Sequence, residues 1–303
     1  MVAVKKRRVG NKDYFYLKHS VRTPQGIETR EKYLGPRLPA DIDEAKRDFL
    51  AEIYKERWHP LLEAIRSNYA KELRTMPQNA LEKNARFFAV KFTYDTNRIE
   101  GSSLTYRETA DLLERGLSPR SKPVADVKEA EAHDRVLSEV LEFDRDLSLQ
   151  IILYWHKQLF AETKPAIAGK IRTQQVWISG SRFIPPSPVE VYPLMREFFR
   201  WYNRSKTTMH PVELAAAVHL RFVTVHPFTD GNGRVSRLLM NFVLRKHGYP
   251  LLDIPYGDRR SYYNALERSQ SKNTERVFIQ WFVRKYLKEH SRYIEAGNRS
   301  GTC

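Results

Sequence analysis

The stretch that decides the fold is residues 211–237, which have the sequence PVELAAAVHLRFVTVHPFTDGNGRVSR. Residues 211–225 are apolar nearly all round, and this predicts a buried central helix that begins at Pro211. A loop over 226–233 follows, after which an apolar stripe recurs at helical spacing, at Val235, Leu238, Leu239, Phe242 and Val243. The segment therefore predicts two packed helices joined by a loop that contains glycine.

The 226–233 loop carries the residue types of a phosphate site. Gly231, Asn232 and Gly233 lie just before a predicted helix, where backbone N–H groups and the helix dipole favour anions. Arg234 and Arg237 are three residues apart, close enough on a helix to reach one polyphosphate together. This pattern predicts a nucleotide phosphate as the ligand.

Asp230 and His226 complete the candidate site. Asp230 is a hard oxygen ligand beside the predicted phosphate pocket, and Mg²⁺ prefers such ligands. His226 lies where the buried helix ends, and an imidazole that titrates near neutrality can take a proton from an incoming hydroxyl. Each of these residues alone is common in helical proteins, but the joint pattern is restrictive and predicts a catalytic site.

The remaining chain is predicted to be mainly helical from Asp43 onward. Helical patterns cover about 43–74 with a break or kink at Pro60, and then about 79–99, 125–143 and 189–203. A capping box at Thr105–Glu108 opens a short helix that ends at Gly116. Residues 12–34 alternate like strands around a turn at 23–26, which predicts a small N-terminal β-hairpin module.

One non-helical segment, residues 169–188, interrupts the helices. Val176 and Ile178 alternate before a turn at Ser179-Gly180, and prolines follow, which favours a short β-hairpin with an ordinary inter-helix loop as the alternative. The predicted organisation is a small basic β module (1–37), a helical region (38–125) that includes helix 79–101, a catalytic core (126–290) and a tail (291–303).

Composition limits the class of protein. Of the 303 residues 41% are hydrophobic and 12% aromatic, which supports a packed core and argues against disorder. No stretch approaches the roughly 20 apolar residues of a membrane span, and no apolar run follows the basic N-terminus as in a secretory signal. The single cysteine, Cys303, cannot form an internal disulfide, so a reduced, cytoplasmic protein is predicted.

The net charge of +16 is concentrated at the N-terminus. Residues 1–37 hold ten Lys and Arg side chains against Asp13, Glu28 and Glu31, a balance of 10 − 3 = +7. Such a segment can contact nucleic acid, but a solvated basic face is the favoured interpretation. The reason is that aromatic and basic residues do not alternate beyond residues 14–16.

The segment 226–237 resembles the HxFx(D/E)GNGRxxR signature of Fic-domain proteins and matches it at every defined position. The resemblance covers about 130–290 and includes residues 169–186, 238–241 and 262–263, which are similar to those of animal Fic adenylyltransferases of the endoplasmic reticulum. It implies a mainly α fold, with a Fic-type helical core and a β-hairpin flap. It also implies transfer of AMP from ATP to Ser, Thr or Tyr hydroxyls of a protein.

The resemblance further implies individual roles. His226 would be the general base, Asp230 the Mg²⁺ ligand and Arg237 the partner of the γ-phosphate. The α- and β-phosphates would be bound by Gly231, Asn232, Gly233 and Arg234. Tyr262 and Tyr263 would line the adenine pocket, with core packing as the alternative for either. The flap, residues 172–186, would dock the protein substrate by adding a strand. Doc-like relatives that transfer phosphate have lysine at the position of Gly233, so this glycine favours AMP transfer.

Residues 96–101 resemble the (S/T)xxxE(G/N) inhibitory motif of the same family. A Glu100 carboxylate paired with Arg237 would occupy the partner of the γ-phosphate and repel the triphosphate. The alternative interpretation of Glu100 is a solvated helix end. In the animal relatives this glutamate also helps to hydrolyse the AMP–protein bond, so AMP removal is a second hypothesis for the main activity.

Two further expectations concern partners. The membrane anchor and helical repeats of the animal relatives are not recognised in this sequence, so location and partner do not carry over. Some relatives dimerise through the core, which leaves a homodimer open. A third functional hypothesis is a nucleic-acid-binding regulator that uses residues 1–37 for contact and the core as a nucleotide sensor.

Overall fold

The computed structural model describes residues 2–23 and 26–299, in two compact units, Met1–Glu63 and Ala64–Cys303. Pro24 and Gln25 of the predicted turn lie outside the described residues, as does Cys303.

The first unit contains a three-stranded antiparallel sheet of β1 (Ala3–Val9), β2 (Lys12–Thr23) and β3 (Gly26–Gly35), in that order. Leu17 and Val21 of β2 pack against Phe49 and Ile53 in the first part of helix α1 (Ile42–Thr75). The predicted hairpin corresponds to β2 and β3, but β1 was missed. Its residues are exposed along the whole strand, and four consecutive cations hide the alternation that normally marks a strand.

Helix α1 continues through Pro60, so the break predicted there is absent. Proline removes one backbone donor and crowds the preceding turn. In a helix of this length the turns on both sides of the proline remain hydrogen-bonded, so the local defect does not end the helix.

The second unit is helical, which confirms the mainly α prediction. Its helices are α2 (Gln78–Ile99), α3 (Tyr106–Arg115), α4 (Val124–Glu142), α5 (Leu149–Phe160), α6 (Pro188–Ser205), α7 (Pro211–Val225), α8 (Asn232–Lys246), α9 (Arg259–Ser271), α10 (Arg276–Glu289) and α11 (Ser291–Arg299). Helix α11 covers the first part of the predicted tail. Across residues 2–23 and 26–299, no helix combines the length and the apolar character needed to cross a membrane.

Helix α7 lies at the centre of this unit, as predicted. Ala215, Ala216 and Ala217 are fully buried, and α7 packs against α6, α8 and α10. The apolar stripe of α8, which includes Val235 and Leu238, is also fully buried. Packing on both helices therefore holds the two ends of the 226–233 loop.

Helix α2 ends beside this loop, and its end is well defined. The next helix, α3, starts with the predicted capping box, in which Thr105 and Glu108 satisfy each other's backbone N–H groups. Gly116 ends α3 in the left-handed conformation. Because α2 also packs against α4 and α8, the residue after it, Glu100, is held next to the start of α8.

The segment between α5 and α6 corrects one prediction. Residues 171–187 contain the predicted turn, in which the N–H of Ser181 donates to the carbonyl of Ile178 at 3.1 Å, but no paired strands. Prolines at 185 and 186 have no backbone donor, and the Gln175 side chain, not a backbone N–H, donates to the Pro185 carbonyl at 3.0 Å. The flap is therefore an extended loop with a turn at its tip.

Candidate active site

His226 is the C-terminal cap of α7 and has a left-handed backbone, with φ 52° and ψ 58°. Its Nδ1 lies 3.1 Å from the carbonyl oxygen of Val223, which can only accept, so Nδ1 carries the proton. Nε2 is then left with a free lone pair. Burial lowers the pKa of His226, so the ring is neutral at pH 7 and can act as a base.

Asn232 holds the loop in shape. Its Oδ1 accepts from the N–H of Phe228 at 2.9 Å, and its Nδ2 donates to the carbonyl of the same residue at 2.8 Å. The Asn232 side chain is thus committed to the loop, and its backbone N–H at the start of α8 remains for an anion. Gly231 has φ 81°, and a Cβ there would overlap the ring of Phe160, so this position requires glycine.

His156 of α5 supports the same loop from behind. Its Nε2 lies 3.0 Å from the Asp230 carbonyl oxygen, its Nδ1 accepts from the N–H of Gly169 at 2.9 Å, and its ring stacks on Phe228 at 3.7 Å. Burial lowers the pKa of His156 to about 4, which keeps the ring neutral. No local pattern in the sequence marks His156, because its partners are distant in the chain.

Asp230 belongs to a four-residue ionic cluster. Its carboxylate lies 2.7 Å from Lys164 Nζ and 3.4 Å from Arg234 Nη2. Glu129 of α4 pairs with the same two cations, with Lys164 at 2.8 Å. Although burial alone would raise it, the pKa of Asp230 is lowered by these cations, chiefly Arg234. No sequence pattern indicates Glu129 or Lys164, since each lies far from the loop in the chain.

The cluster is chemically suited to Mg²⁺ at Asp230. A single ionised carboxylate that is 39% exposed matches an ion that keeps waters and takes its other ligands from phosphates. Lys164 Nζ now occupies that carboxylate, so a bound metal ion would have to displace it. Arg234 Nε is buried without a hydrogen-bond partner among the residues described, which leaves one donor for a further ligand.

Arg237 is almost completely buried and bound on all sides. Its Nη2 lies 2.6 Å from Glu100 Oε1, and its Nε donates to Thr96 Oγ1 at 2.6 Å. Nη1 donates to the hydroxyl of Tyr262 at 3.3 Å, and that hydroxyl lies 2.9 Å from Nε2 of His219. The pKa of Arg237 is raised despite burial, mainly by the charge of Glu100. Thr96 and Glu100 of the 96–101 motif therefore bind one guanidinium.

The two arginines predicted to share one polyphosphate have separate partners. Arg234 points to Glu129 and Asp230, whereas Arg237 points to Glu100 and Thr96. Their spacing on the helix is as predicted, but carboxylates from different parts of the chain hold the side chains apart.

Gly233 lies against the Glu100 carboxylate. A Cβ at Gly233 would overlap the Glu100 carboxylate and lie 3.0 Å from Arg237 Nη1. Glycine here thus allows the carboxylate to approach the first turn of α8.

A cavity of about 250 Å³ opens at this point. Its lining brings together the candidate base His226 with Gly233, Arg237, Glu100 and the flap tip at 178–181. Tyr263 also lines it and is 43% exposed, whereas Tyr262 is 1% exposed. Core packing, the alternative considered for both tyrosines, therefore applies to Tyr262, although its hydroxyl still reaches Arg237.

Arg172 joins the start of the flap to the 226–233 loop, and sequence reasoning missed it. Its Nε donates to the His226 carbonyl at 2.8 Å, and its Nη2 donates to the Pro186 carbonyl at 2.5 Å. The backbone N–H of Arg172 also donates to the Pro227 carbonyl at 3.0 Å. The Arg172 side chain thus holds both ends of the flap next to His226.

Comparison with known proteins agrees with this geometry. The chain is 33% identical over 223 residues to protein adenylyltransferase fic-1 from Caenorhabditis elegans, which covers 72% of this chain and 43% of that protein. A crystal structure of a Fic-domain-containing signaling protein from Bacteroides thetaiotaomicron aligns with TM-score 0.69 and 28% identity, over 78% of this chain and 97% of that one. A structure of C. elegans Fic-1 aligns with TM-score 0.71 and 28% identity, over 87% of this chain and 80% of that one.

These matches confirm the predicted Fic-type helical core, although the chain spans less than half the length of the curated C. elegans relative. Residues 146–244 also match the family model described as the Fic/DOC family. That range contains the flap, the buried helix α7, the 226–233 loop and most of α8. The chain therefore carries a domain of the Fic/DOC family, at residues 146–244.

Proposed function

We propose that this chain is a protein adenylyltransferase that transfers AMP from ATP to a Ser, Thr or Tyr hydroxyl of a protein target. One observation carries the proposal. A neutral histidine with a free Nε2, His226, lines the same cavity as the glycine at the start of α8 and a buried arginine, Arg237. The name of the C. elegans relative supports the same reaction class.

The proposed reaction uses the geometry directly. Nε2 of His226 takes the proton of the target hydroxyl while that oxygen forms a bond to the α-phosphorus. The bond between the α-phosphorus and its bridging oxygen breaks, and pyrophosphate leaves. Backbone N–H groups at 231–233, at the positive end of α8, stabilise the charge on the phosphates. Mg²⁺ at Asp230, when bound, neutralises part of that charge.

Arg237 is proposed as the partner of the γ-phosphate, and Glu100 as its inhibitor. The carboxylate occupies the guanidinium that the γ-phosphate needs, and its negative charge repels the triphosphate. The resting protein is then held in a state of low transfer activity.

The experiment is self-labelling with ATP labelled at the α-phosphate, in the presence of Mg²⁺. Glu100→Gly should label more strongly than wild type, and adding His226→Ala to it should abolish the label. Glu100→Gln is the matched control, because it keeps the side-chain size and removes only the charge. Absence of label from Glu100→Gly, or label that persists without His226, would contradict the proposal.

The protein target is proposed to dock on the flap, residues 172–186. Trp177 and Ile184 are 74% and 65% exposed. Apolar side chains exposed close together often mark a binding surface for a partner. A cavity of about 440 Å³ beside the flap is lined by Phe183, Leu194 and Phe198 and can take an apolar side chain of the target. Extended flap backbone can pair with a target strand.

Removal of AMP is a second candidate activity, favoured by one observation. The Glu100 side chain is 25% exposed and lines the cavity that also contains His226, so its carboxylate can orient a water molecule there. If removal dominates, an AMP-modified target loses its AMP with wild type but keeps it with Glu100→Gly.

A further inference from the structure

The N-terminal sheet has two faces of different composition. Leu17 and Val21 define the face that packs on α1. Side chains alternate along a strand, and directly paired residues share a face. The strand pairing therefore shows which residues lie on the opposite face, here called the outer face. It carries Ala3, Lys5, Arg7 and Val9 of β1, Lys12, Tyr14, Tyr16, Lys18 and Ser20 of β2, and Ile27, Thr29, Glu31 and Tyr33 of β3.

Cations and carboxylates are separated between these faces. Among the side chains that the structure describes on the outer face, four are cations, Lys5, Arg7, Lys12 and Lys18, and one is a carboxylate, Glu31. Three further carboxylates of the unit pair with cations of the opposite face: Glu52 with Lys32 at 2.6 Å, Glu56 with Arg30 at 3.5 Å and Asp13 with Lys6 at 2.7 Å. The outer face therefore keeps an excess of positive charge.

Three of the outer cations are available to a ligand. Arg7 is used within the protein, since it pairs with Glu31 at 2.5 Å and covers the Tyr16 ring at 4.6 Å. Lys5, Lys12 and Lys18 have no carboxylate partner in the described part of the chain. Lys18 lies diagonally across from Lys5 on the neighbouring strand, and Lys12 lies about 20 Å from Lys18 along β2, so the three cations form an elongated patch on one face of the sheet.

The tyrosines of this face distinguish between kinds of nucleic acid. Tyr14 and Tyr16 lie 6.2 Å and 5.2 Å from Tyr33, measured between ring centroids, so the three rings pack on one another. The guanidinium of Arg7 covers the Tyr16 ring. A surface that stacks single-stranded bases needs free ring faces, and here Arg7 and the neighbouring Tyr33 ring occupy part of those of Tyr14 and Tyr16. The patch suits a rigid backbone of regularly spaced phosphates.

We propose that the outer face of the N-terminal sheet binds double-stranded DNA, with Lys5, Lys12 and Lys18 contacting phosphates. Three strands spaced about 4.8 Å apart form a ribbon about 10 Å wide, which fits a major groove about 12 Å wide. Sheets bind DNA in this way in other architectures. The function is separate from AMP transfer, because none of its residues belongs to the catalytic site.

The test uses the full chain and a fluorescent duplex of about 20 base pairs, with binding followed by anisotropy from about 50 to about 200 mM salt. The variant Lys5→Ala/Lys12→Ala/Lys18→Ala is compared with Lys71→Ala/Lys83→Ala/Lys272→Ala, which removes the same charge from exposed positions of the second unit. Circular dichroism checks that both variants remain folded.

Wild type should bind with an affinity that falls steeply with salt. The sheet variant should bind at least about tenfold more weakly, with a salt slope smaller by about 2 to 3, since each phosphate contact contributes about 0.9. The control variant should stay within about twofold of wild type. Absence of binding by wild type at low salt, equal weakening of both variants, or stronger competition by single-stranded DNA or duplex RNA would overturn the proposal.

Discussion

The carboxylate of Glu100 lies 2.6 Å from the guanidinium of Arg237, whose side chain is only 1% exposed. The two residues belong to elements far apart in the chain: Glu100 follows α2, and Arg237 lies in the first turns of α8. Thr96 adds a second contact from α2 to the same guanidinium. The end of α2 is thus bound to α8, the helix whose N-terminus is the candidate phosphate site.

Replacing Glu100 with glycine should change both stability and nucleotide binding. Removing one partner of a buried ion pair leaves Arg237 uncompensated, so we expect a loss of about 1–3 kcal/mol in the free energy of unfolding. ATP with Mg²⁺ should restore more stability to this variant than to wild type, because the γ-phosphate can replace the lost carboxylate. Thermal melts with and without nucleotide measure both effects. An equal shift in both proteins would contradict the assignment of Arg237 to the γ-phosphate.

Gly233→Ala should depend on the presence of Glu100. In wild type the new Cβ overlaps the Glu100 carboxylate, so we expect destabilisation of about 1–3 kcal/mol from overpacking. In the Glu100→Gly background the main obstacle is absent, and the same change should cost less. A double-mutant cycle on unfolding free energies measures this coupling. Additive costs would mean that the carboxylate does not lie over Gly233 in solution.

The pH profile of transfer should reflect the lowered pKa of His226. The ordinary histidine pKa is near 6.5, and burial shifts that of His226 downward, which favours the neutral ring. Only the neutral ring can take a proton, so the rate is retained from neutral pH down through 6.5 and lost below that value. The measurement is kcat/KM of Glu100→Gly between acidic and neutral pH. A decline that begins above pH 7 would exclude His226 in this environment as the base.

Lys164→Met should increase the affinity for Mg²⁺. Lys164 now bonds to Asp230 at 2.7 Å and to Glu129 at 2.8 Å, so an incoming cation competes with it. Removing the ammonium group should tighten the binding of Mg²⁺ with ATP several-fold, roughly 1 kcal/mol for a partly exposed pair. Calorimetric titration gives the affinity directly, with Lys170→Met as the matched control on an exposed neighbour. Weaker binding in Lys164→Met would show that the lysine assists the ligand instead of competing.

Trp177→Ala should separate target modification from self-labelling. Trp177 is 74% exposed on the flap, so its removal costs little stability, but an exposed tryptophan is a typical anchor for a partner. In the Glu100→Gly background we expect the target to be modified about tenfold more slowly, with self-labelling nearly unchanged. The assay compares the two products in one reaction, and Tyr154→Ala, an exposed aromatic outside the flap, is the control. Equal loss of both products would place Trp177 in the catalytic machinery.

The sequence by itself determined the helical class, the central helix α7 and the catalytic loop. These features depend on local patterns: an apolar run over 211–225, a capping box at Thr105, and glycines where the backbone must turn tightly. It also indicated Glu100 as a partner of Arg237, but only through resemblance to a known motif.

The tertiary structure alone decided which side chains meet. Glu129, His156, Lys164 and Arg172 act on the 226–233 loop from distant parts of the chain, and no local pattern marks them. It also separated Arg234 from Arg237, because each buried guanidinium pairs with a different carboxylate. Helical spacing limits which side chains can be neighbours, but the charges packed around them determine their direction, and those charges come from other helices.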